Sequence, residues 1–274
     1  MINGVPRILI VRLSAIGDVV RTMPALHALR DQFPDAQIDW AVEPKSYDVI
    51  SDSPALDQCL VFERPEDGRL AGLRAFGAFC GRVRAGRYDV IVDFHGILKS
   101  GLITRASGAP KRWGFAPPRS RELSYLCTNR RVKLPPGVLN RIEENMALAS
   151  GLGAQSDSLE VVIDIPDEIQ DEVDDYFDDT FEGGKGVVAI HAPVDRPEKQ
   201  WPLDYFAQLT DMILADGRYE VLLTWGPGQR EVADTVRTKA HREPYVAPET
   251  PTLKHYAALV QRCDLFFGGD TGPM

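Results

Sequence analysis

Asp18 closes the segment Ser14-Ala-Ile-Gly-Asp18, which follows the apolar run Ile8-Leu-Ile-Val-Arg-Leu13 and precedes a helical pattern from Pro24. A carboxylate at a strand end, beside a glycine that lets backbone approach a ligand, is placed to take a proton from a hydroxyl. The same position suits an N-cap, so general base and cap both stand for Asp18. Lys199, in Lys199-Gln-Trp-Pro202, offers an ammonium point charge suited to phosphate, or a solvated loop lysine. Glu231 lies in the first turn of a helix after Trp225-Gly-Pro-Gly228, where a carboxylate accepts from a vicinal diol or answers the helix dipole. Asp270-Thr-Gly272 is a Gly-rich turn behind another apolar run; its hydroxyl and backbone N–H groups suit a phosphate, and a plain turn is the alternative. Asp93-Phe-His-Gly-Ile-Leu-Lys-Ser100 ends one more strand, with Lys99 suited to an anionic substrate and His95 to a polar lining. Arg119 and Arg121 stand in a basic stretch with Lys111, Arg112, Arg130 and Arg131, for which a solvated stripe is the alternative.

The elements that must position these residues alternate. Strand-length apolar runs at 7–13, 37–42, 58–62, 88–93 and 112–115 are interleaved with helical patterns at 24–32, 70–85, 98–106 and 141–150. Such alternation predicts βα units on a parallel sheet. A loop over 151–164 and an acidic amphipathic helix over 166–181 lead into a second series. It runs strand 186–191, helix 203–216, strand 219–225, helix 229–239, a short strand near Tyr245, helix 253–261 and strand 264–267. Two Rossmann-like domains are expected, 1–165 and 166–274, with parallel sheets facing across a cleft. The second series ends at Met274 without the helix that would make its last turn an anion site. We therefore expect a C-terminally truncated second domain.

Composition narrows the class. The 274 residues are 44% hydrophobic and 26% charged, with no apolar run of the ~18 residues a membrane span needs. The amino-terminal run is followed by Gly-Asp rather than a cleavage site, so no signal peptide is expected. Cys59, Cys80, Cys127 and Cys263 form neither a CxxC pair nor a metal spacing, and reduced thiols in a cytoplasmic protein are expected. The net charge of −9 hides a split: residues 1–150 carry 21 Lys and Arg against 16 Asp and Glu, residues 151–274 carry 10 against 24. The basic half suits an anionic partner. Nucleic acid lacks any recognition motif here. A nicotinamide site is disfavoured because Glu231 replaces the last glycine of a GxGxxG fingerprint.

Taken in order, Ser14-Ala-Ile-Gly-Asp18, Lys199-Gln-Trp-Pro202 and Asp270-Thr-Gly272 resemble the ADP-heptose:lipopolysaccharide heptosyltransferases of glycosyltransferase family nine, over the whole chain. Those enzymes begin with a strand and S-x-x-G-D, open their second half with K-x-W-P, and carry D-T-G or D-S-G later, followed shortly by a His that would fall beyond Met274. The resemblance implies the GT-B architecture and an inverting transfer of heptose from ADP-heptose to Kdo on lipid A, as in first-heptose enzymes. Asp39-Trp-Ala-Val-Glu43 leans toward that subgroup. It implies Asp18 as catalytic base. Lys199, Glu231, Asp270, Thr271 and Gly272 would hold the donor; Ser14, Gly17, Lys99, Arg119 and Arg121 would shape and bind the acceptor side. The family often has Gln where His95 stands. With no D-x-D triplet in the chain, no cofactor and no obligatory metal are expected. The implied location is cytoplasmic, peripheral at the inner face of the inner membrane. A transferase for another nucleotide sugar and a non-catalytic nucleotide-binding α/β module are the rival readings.

Overall fold

A computed structural model describes residues 6–65, 68–137, 139–181, 183–194 and 196–269. The chain divides into two compact units, Met1–Asp164 and Ile165–Met274.

The first unit begins with β1 (Arg7–Val11), the short helix α1 (Ile16–Val20), α2 (Met23–Gln32), β2 (Gln37–Val42) and a single turn, α3 (Pro44–Tyr47). There follow β3 (Gln58–Val61), α4 (Gly68–Ala85), β4 (Val90–Asp93), α5 (Leu98–Ala106), β5 (Lys111–Phe115), a 3₁₀ turn at Ser124–Cys127, β6 (Arg130–Val132) and α6 (Arg141–Gly151). The six strands are parallel in the order β3-β2-β1-β4-β5-β6. β1 and β4, buried on both faces, read as the continuous apolar runs Ile-Leu-Ile-Val and Val-Ile-Val for that reason. One face packs Leu9, Val11 and Ile91 against Phe79 and Val83 of α4 and Ile103 of α5. α2 and α6 pack on each other. Asn145 of α6 donates to the Arg21 carbonyl at 2.9 Å and to Thr22 Oγ1 at 3.0 Å, pinning the α1–α2 junction.

The second unit runs α7 (Asp167–Thr180), β7 (Gly186–His191), a 3₁₀ turn at Pro197–Lys199, α8 (Leu203–Asp216), β8 (Tyr219–Thr224), α9 (Arg230–Lys239), β9 (Tyr245–Val246), α10 (Leu253–Gln261) and β10 (Leu265–Gly268). Its four strands are parallel in the order β10-β7-β8-β9. Pro202 precedes α8 as its N-cap and Thr252 caps α10 through the His255 N–H.

The expected strands and helices are present, with shifts of one or two residues at their ends. Three pieces escaped the periodicity: α1, α3 and β6, each of five residues or fewer. Elements that short do not complete a helical or alternating period. Among the described residues the four cysteines form no disulfide.

Candidate active site

In both sheets the first strand is the place where the chain changes direction. β2 and β3 lie to one side of β1 and β4 to the other; β8 and β9 lie to one side of β7 and β10 to the other. At such a switch point the loops beyond the carboxyl ends of two neighbouring strands diverge and leave a crevice. Four of the residues singled out in the sequence follow these strands: Asp18 after β1, His95 and Lys99 after β4, and Lys199 after β7; Glu231 instead follows β8, and Arg119 and Arg121 follow β5.

Asp18 lies inside α1, not at its cap. Ala15 is the N-cap, with no side-chain capping bond, which rules out the capping alternative. The Asp18 carboxylate instead pairs with the Arg12 guanidinium, and it keeps 34% of its surface exposed while Arg12 keeps 5%. Arg12 also donates from Nη1 to the Phe94 carbonyl at 2.9 Å, which ties β1 to the exit of β4. Its own carbonyl accepts from Trp40 Nε1 at 3.0 Å. Burial lowers the Arg12 pKa below its ordinary value, against the pull of Asp18 and Asp93. Sequence reading passed over Arg12, although an arginine amid Ile-Leu-Ile-Val and Leu was the available signal: a charge in a doubly buried strand needs a partner.

The turn beyond β4 is built on Asp93. Its Oδ1 accepts from the N–H groups of His95 and Gly96, both at 3.0 Å, and its Oδ2 from Ser100 Oγ at 3.0 Å. Gly96 has φ +72°, a left-handed conformation that favours glycine. Burial pushes the Asp93 carboxyl up to about 6, opposed by the hydrogen bonds from Gly96, Ser100 and His95 and by the charge of Arg12. His95 is pushed the other way, to about 4, by burial and then by Arg12. Its Nδ1 accepts from the Leu13 N–H at 3.4 Å, so the neutral ring carries its proton on Nε2. The free nitrogen Nε2 is thus a hydrogen-bond donor.

Two of the remaining cations are matched. Lys99 pairs with Glu43 and lies over the Phe62 ring at 4.4 Å. Arg119 pairs with Glu144 at 2.6 Å, as does Arg141, and stacks over Phe115 at 4.6 Å. Burial pulls the Glu144 pKa up, but hydrogen bonds from Arg119 and Arg141 outweigh it and hold it below the usual range. Arg119 is therefore largely enclosed, not part of an open basic stripe. Arg121 is exposed, and its side chain makes no ion pair among the described residues. Ser14 is half-buried in the loop after β1. Gly17 has ordinary helical backbone, and a Cβ there would meet only the flexible end of Arg21.

In the second unit Lys199 lies exposed at the end of the 3₁₀ turn, and Glu231 lies exposed in the first turn of α9. Gly269 stands beside this turn: a Cβ there would lie 3.1 Å from Val194 and 3.9 Å from the Lys199 carbonyl. Asp270, Thr271 and Gly272 lie outside the described residues. Behind the turn is a buried polar group not read from the sequence. His191, at the end of β7, has Nδ1 3.0 Å from Thr224 Oγ1, and the Tyr256 hydroxyl lies 3.3 Å from Thr224. Burial raises the Tyr256 pKa to about 12. Trp201 packs edge-on against Phe206, with ring centroids 4.8 Å apart, so it is structural. Among the described residues no three His, Cys, Asp or Glu side chains converge on a metal position.

Comparison with known proteins agrees with this fold. Residues 77–274 match the model of glycosyltransferase family 9 (heptosyltransferase). The lipopolysaccharide heptosyltransferase 1 of Escherichia coli K12 is 27% identical over 233 residues, covering 82% of this chain and 70% of its own. The crystal structure of a family 9 glycosyltransferase from Veillonella parvula superposes with a TM-score of 0.84 at 23% identity, over 98% of this chain and 76% of that one. The E. coli heptosyltransferase WaaC, solved with ADP-2-deoxy-2-fluoro heptose, gives 0.74 at 24% identity, over 97% and 83%. The fold, with its two parallel sheets, is of the GT-B type.

Proposed function

The chain belongs to glycosyltransferase family 9, the heptosyltransferases, and from that premise we propose that it transfers heptose from ADP-heptose to a Kdo sugar of the lipid A inner core, with inversion. The observation that carries this is Asp18: a part-exposed carboxylate at the switch point of the first sheet, oriented by a buried arginine. Asp18 accepts the proton of an acceptor hydroxyl as that oxygen attacks the anomeric carbon. The bond from that carbon to the diphosphate oxygen breaks on the opposite face, and ADP leaves with the electron pair. Arg12 positions Asp18 rather than touching substrate. His95 Nε2–H and Ser14 line the acceptor side, Gly17 leaves room for it, and Lys99, Arg119 and Arg121 give that side its positive field.

In this reading residues 1–165 bind the acceptor and residues 166–274 the donor. Lys199 neutralises the diphosphate as charge develops on it, the Thr271 hydroxyl and the backbone N–H groups of Thr271 and Gly272 donate to it, and the Asp270 carboxylate accepts from the sugar hydroxyls. Glu231 accepts from the ribose hydroxyls. The donor is supported by the ligand of the WaaC structure, which is an ADP-heptose analogue. The first-heptose assignment is supported by the name of the E. coli relative. No cofactor or obligatory metal enters the reaction. The enzyme works in the cytoplasm as a peripheral protein at the inner face of the inner membrane.

The test is Asp18→Asn with ADP binding and turnover measured on one preparation. Unchanged ADP affinity with turnover down roughly 10²-fold or more supports the base assignment. Turnover within a few-fold of the parent overturns it.

A further inference from the structure

A bilayer-facing surface is built into the first unit. α4 and α5 each leave the carboxyl end of a strand, β3 and β4, and pack on the same face of the parallel sheet. Their amino-terminal turns therefore lie toward the end of the sheet that carries Asp18. Both present leucines to solvent: Leu70 and Leu73 on α4, Leu98 and Leu102 on α5. The 3₁₀ turn packed against α5 adds Leu123 and Leu126, and these six side chains are 44% to 74% exposed. A water-facing helix normally carries charges of both signs at such positions.

The charge on this surface is mainly positive. α4 and α5 hold no acidic residue, and the exposed Arg74 and Arg105 make no ion pair among the described residues. The acid between the two leucine-bearing elements, Glu122, is exposed and accepts from the Leu98 N–H at 3.0 Å. The connection into α4 carries Glu63, Glu66 and Asp67. The anion-attracting part is therefore α5 with the 119–127 turn, and α4 contributes mainly its leucines. Glu122 and Leu123 both occupy the left-handed region, at φ +52° and +59°. That conformation is strained for non-glycine residues, and here it holds a leucine outward.

We infer that Leu98, Leu102, Leu123 and Leu126, with Leu70 and Leu73, insert shallowly into the headgroup boundary of a bilayer containing anionic lipid, while Arg74, Arg105 and Arg121 meet its phosphates. Apolar tips interspersed with Arg74, Arg105 and Arg121, which outnumber the one acid among them, Glu122, match an interfacial surface facing anionic lipid. This deepens the proposed function by naming the surface that brings the catalytic end of the first sheet to a lipid-borne acceptor.

The experiment is vesicle flotation of the full chain without donor or acceptor, so failure here leaves the transferase assignment untouched. Vesicles are phosphatidylcholine alone or phosphatidylcholine with phosphatidylglycerol. The parent should partition onto the mixed vesicles. Leu123→Gln with Leu126→Gln, and separately Leu98→Gln with Leu102→Gln, should each weaken partitioning roughly tenfold or more at an unchanged thermal midpoint. Met212→Gln, an equally exposed apolar site on α8, should have no effect. Arg74→Gln with Arg105→Gln should weaken binding on the order of fivefold per charge on the mixed vesicles, with the loss fading in high salt. Undiminished flotation of both leucine pairs overturns the inference. So does a lipid-free dimer that Leu123→Gln with Leu126→Gln converts to monomer, because the surface would then seat a second copy of the chain.

Discussion

The two switch points are built differently. In the first unit the candidate catalytic residue is fixed from behind: Arg12 is buried just past the end of the central strand, bonded to the exit of β4, and paired with Asp18. Lys99 and Arg119 are likewise matched by Glu43 and Glu144. In the second unit Lys199 lies exposed at the end of its 3₁₀ turn and Glu231 lies exposed in the first turn of α9, while His191, Thr224 and Tyr256 form a buried polar group at the end of β7 and β8. A proton transfer needs geometry held to a fraction of an ångström, and a preorganised site provides it. Holding a soluble nucleotide needs charge and hydrogen-bonding groups that a diffusing ligand can reach. The first unit therefore fits a reacting site and the second a binding site.

That contrast has a direct test, and the largest effect belongs to the first unit. Asp18→Asn should cut turnover roughly 10²-fold or more, whereas Lys199→Ala should raise the KM for ADP-heptose with little change in the acceptor KM. Equal losses in kcat from both would erase the distinction between the two sites. Next in size is Arg12→Met, which removes the buried half of the pair with Asp18. It should lower kcat about tenfold or more and cost about 1–3 kcal/mol in stability, because Asp18 is part exposed and water takes over some of the lost pairing. Arg12→Lys restores the charge but not both contacts, and should recover stability more than kcat. A shift in the thermal midpoint without a kcat change would make Arg12 purely structural.

Acid titration separates two buried groups of the same turn. Asp93 binds its proton more tightly folded than unfolded, with a folded pKa of about 6. It therefore adds stability as pH falls from about 6 toward the ordinary carboxylate range, and that stability is lost as pH rises through 6. His95, with a folded pKa of about 4, does the reverse: its contribution is full above its ordinary value near 6.5 and is lost as pH falls toward 4. The two oppose each other, so the parent should change little between pH 6 and 4. Asp93→Asn keeps the turn, since its amide can donate to Ser100 Oγ, and should make stability fall on acidification. His95→Gln should make stability rise. Midpoints of chemical denaturation across that pH range check both signs.

The smallest effects divide the two arginines. Arg121→Glu should raise the acceptor KM at unchanged stability. Arg119→Glu places a carboxylate against Glu144 in an enclosed position and should cost about 1–2 kcal/mol besides. Identical thermal midpoints for the two variants would mean that the Arg119–Glu144 pair contributes nothing.

Much of this was legible in the chain. Apolar runs such as Ile8-Leu-Ile-Val11 are long and doubly buried, so their composition announces parallel strands, and helices such as Leu98–Ala106 and Leu203–Asp216 keep their period to the last turn. Gly-Asp behind the first strand and Lys-x-Trp-Pro behind the seventh were visible as local words, because the chemistry of a loop beyond a strand depends on neighbours a few residues away. The sequence did not show that Asp18 is paired rather than capping, since its partner Arg12 points out of a strand toward it from six residues back. Nor did it show that Arg119 is enclosed while Arg121 is free, since Glu144 lies 25 residues further along. The sequence determined which residue types follow which strand. Only tertiary structure decided that β4 returns beside β1, and β10 beside β7, because strand order comes from long-range pairing that no local pattern encodes. That order is what turns separate loop motifs into two sites.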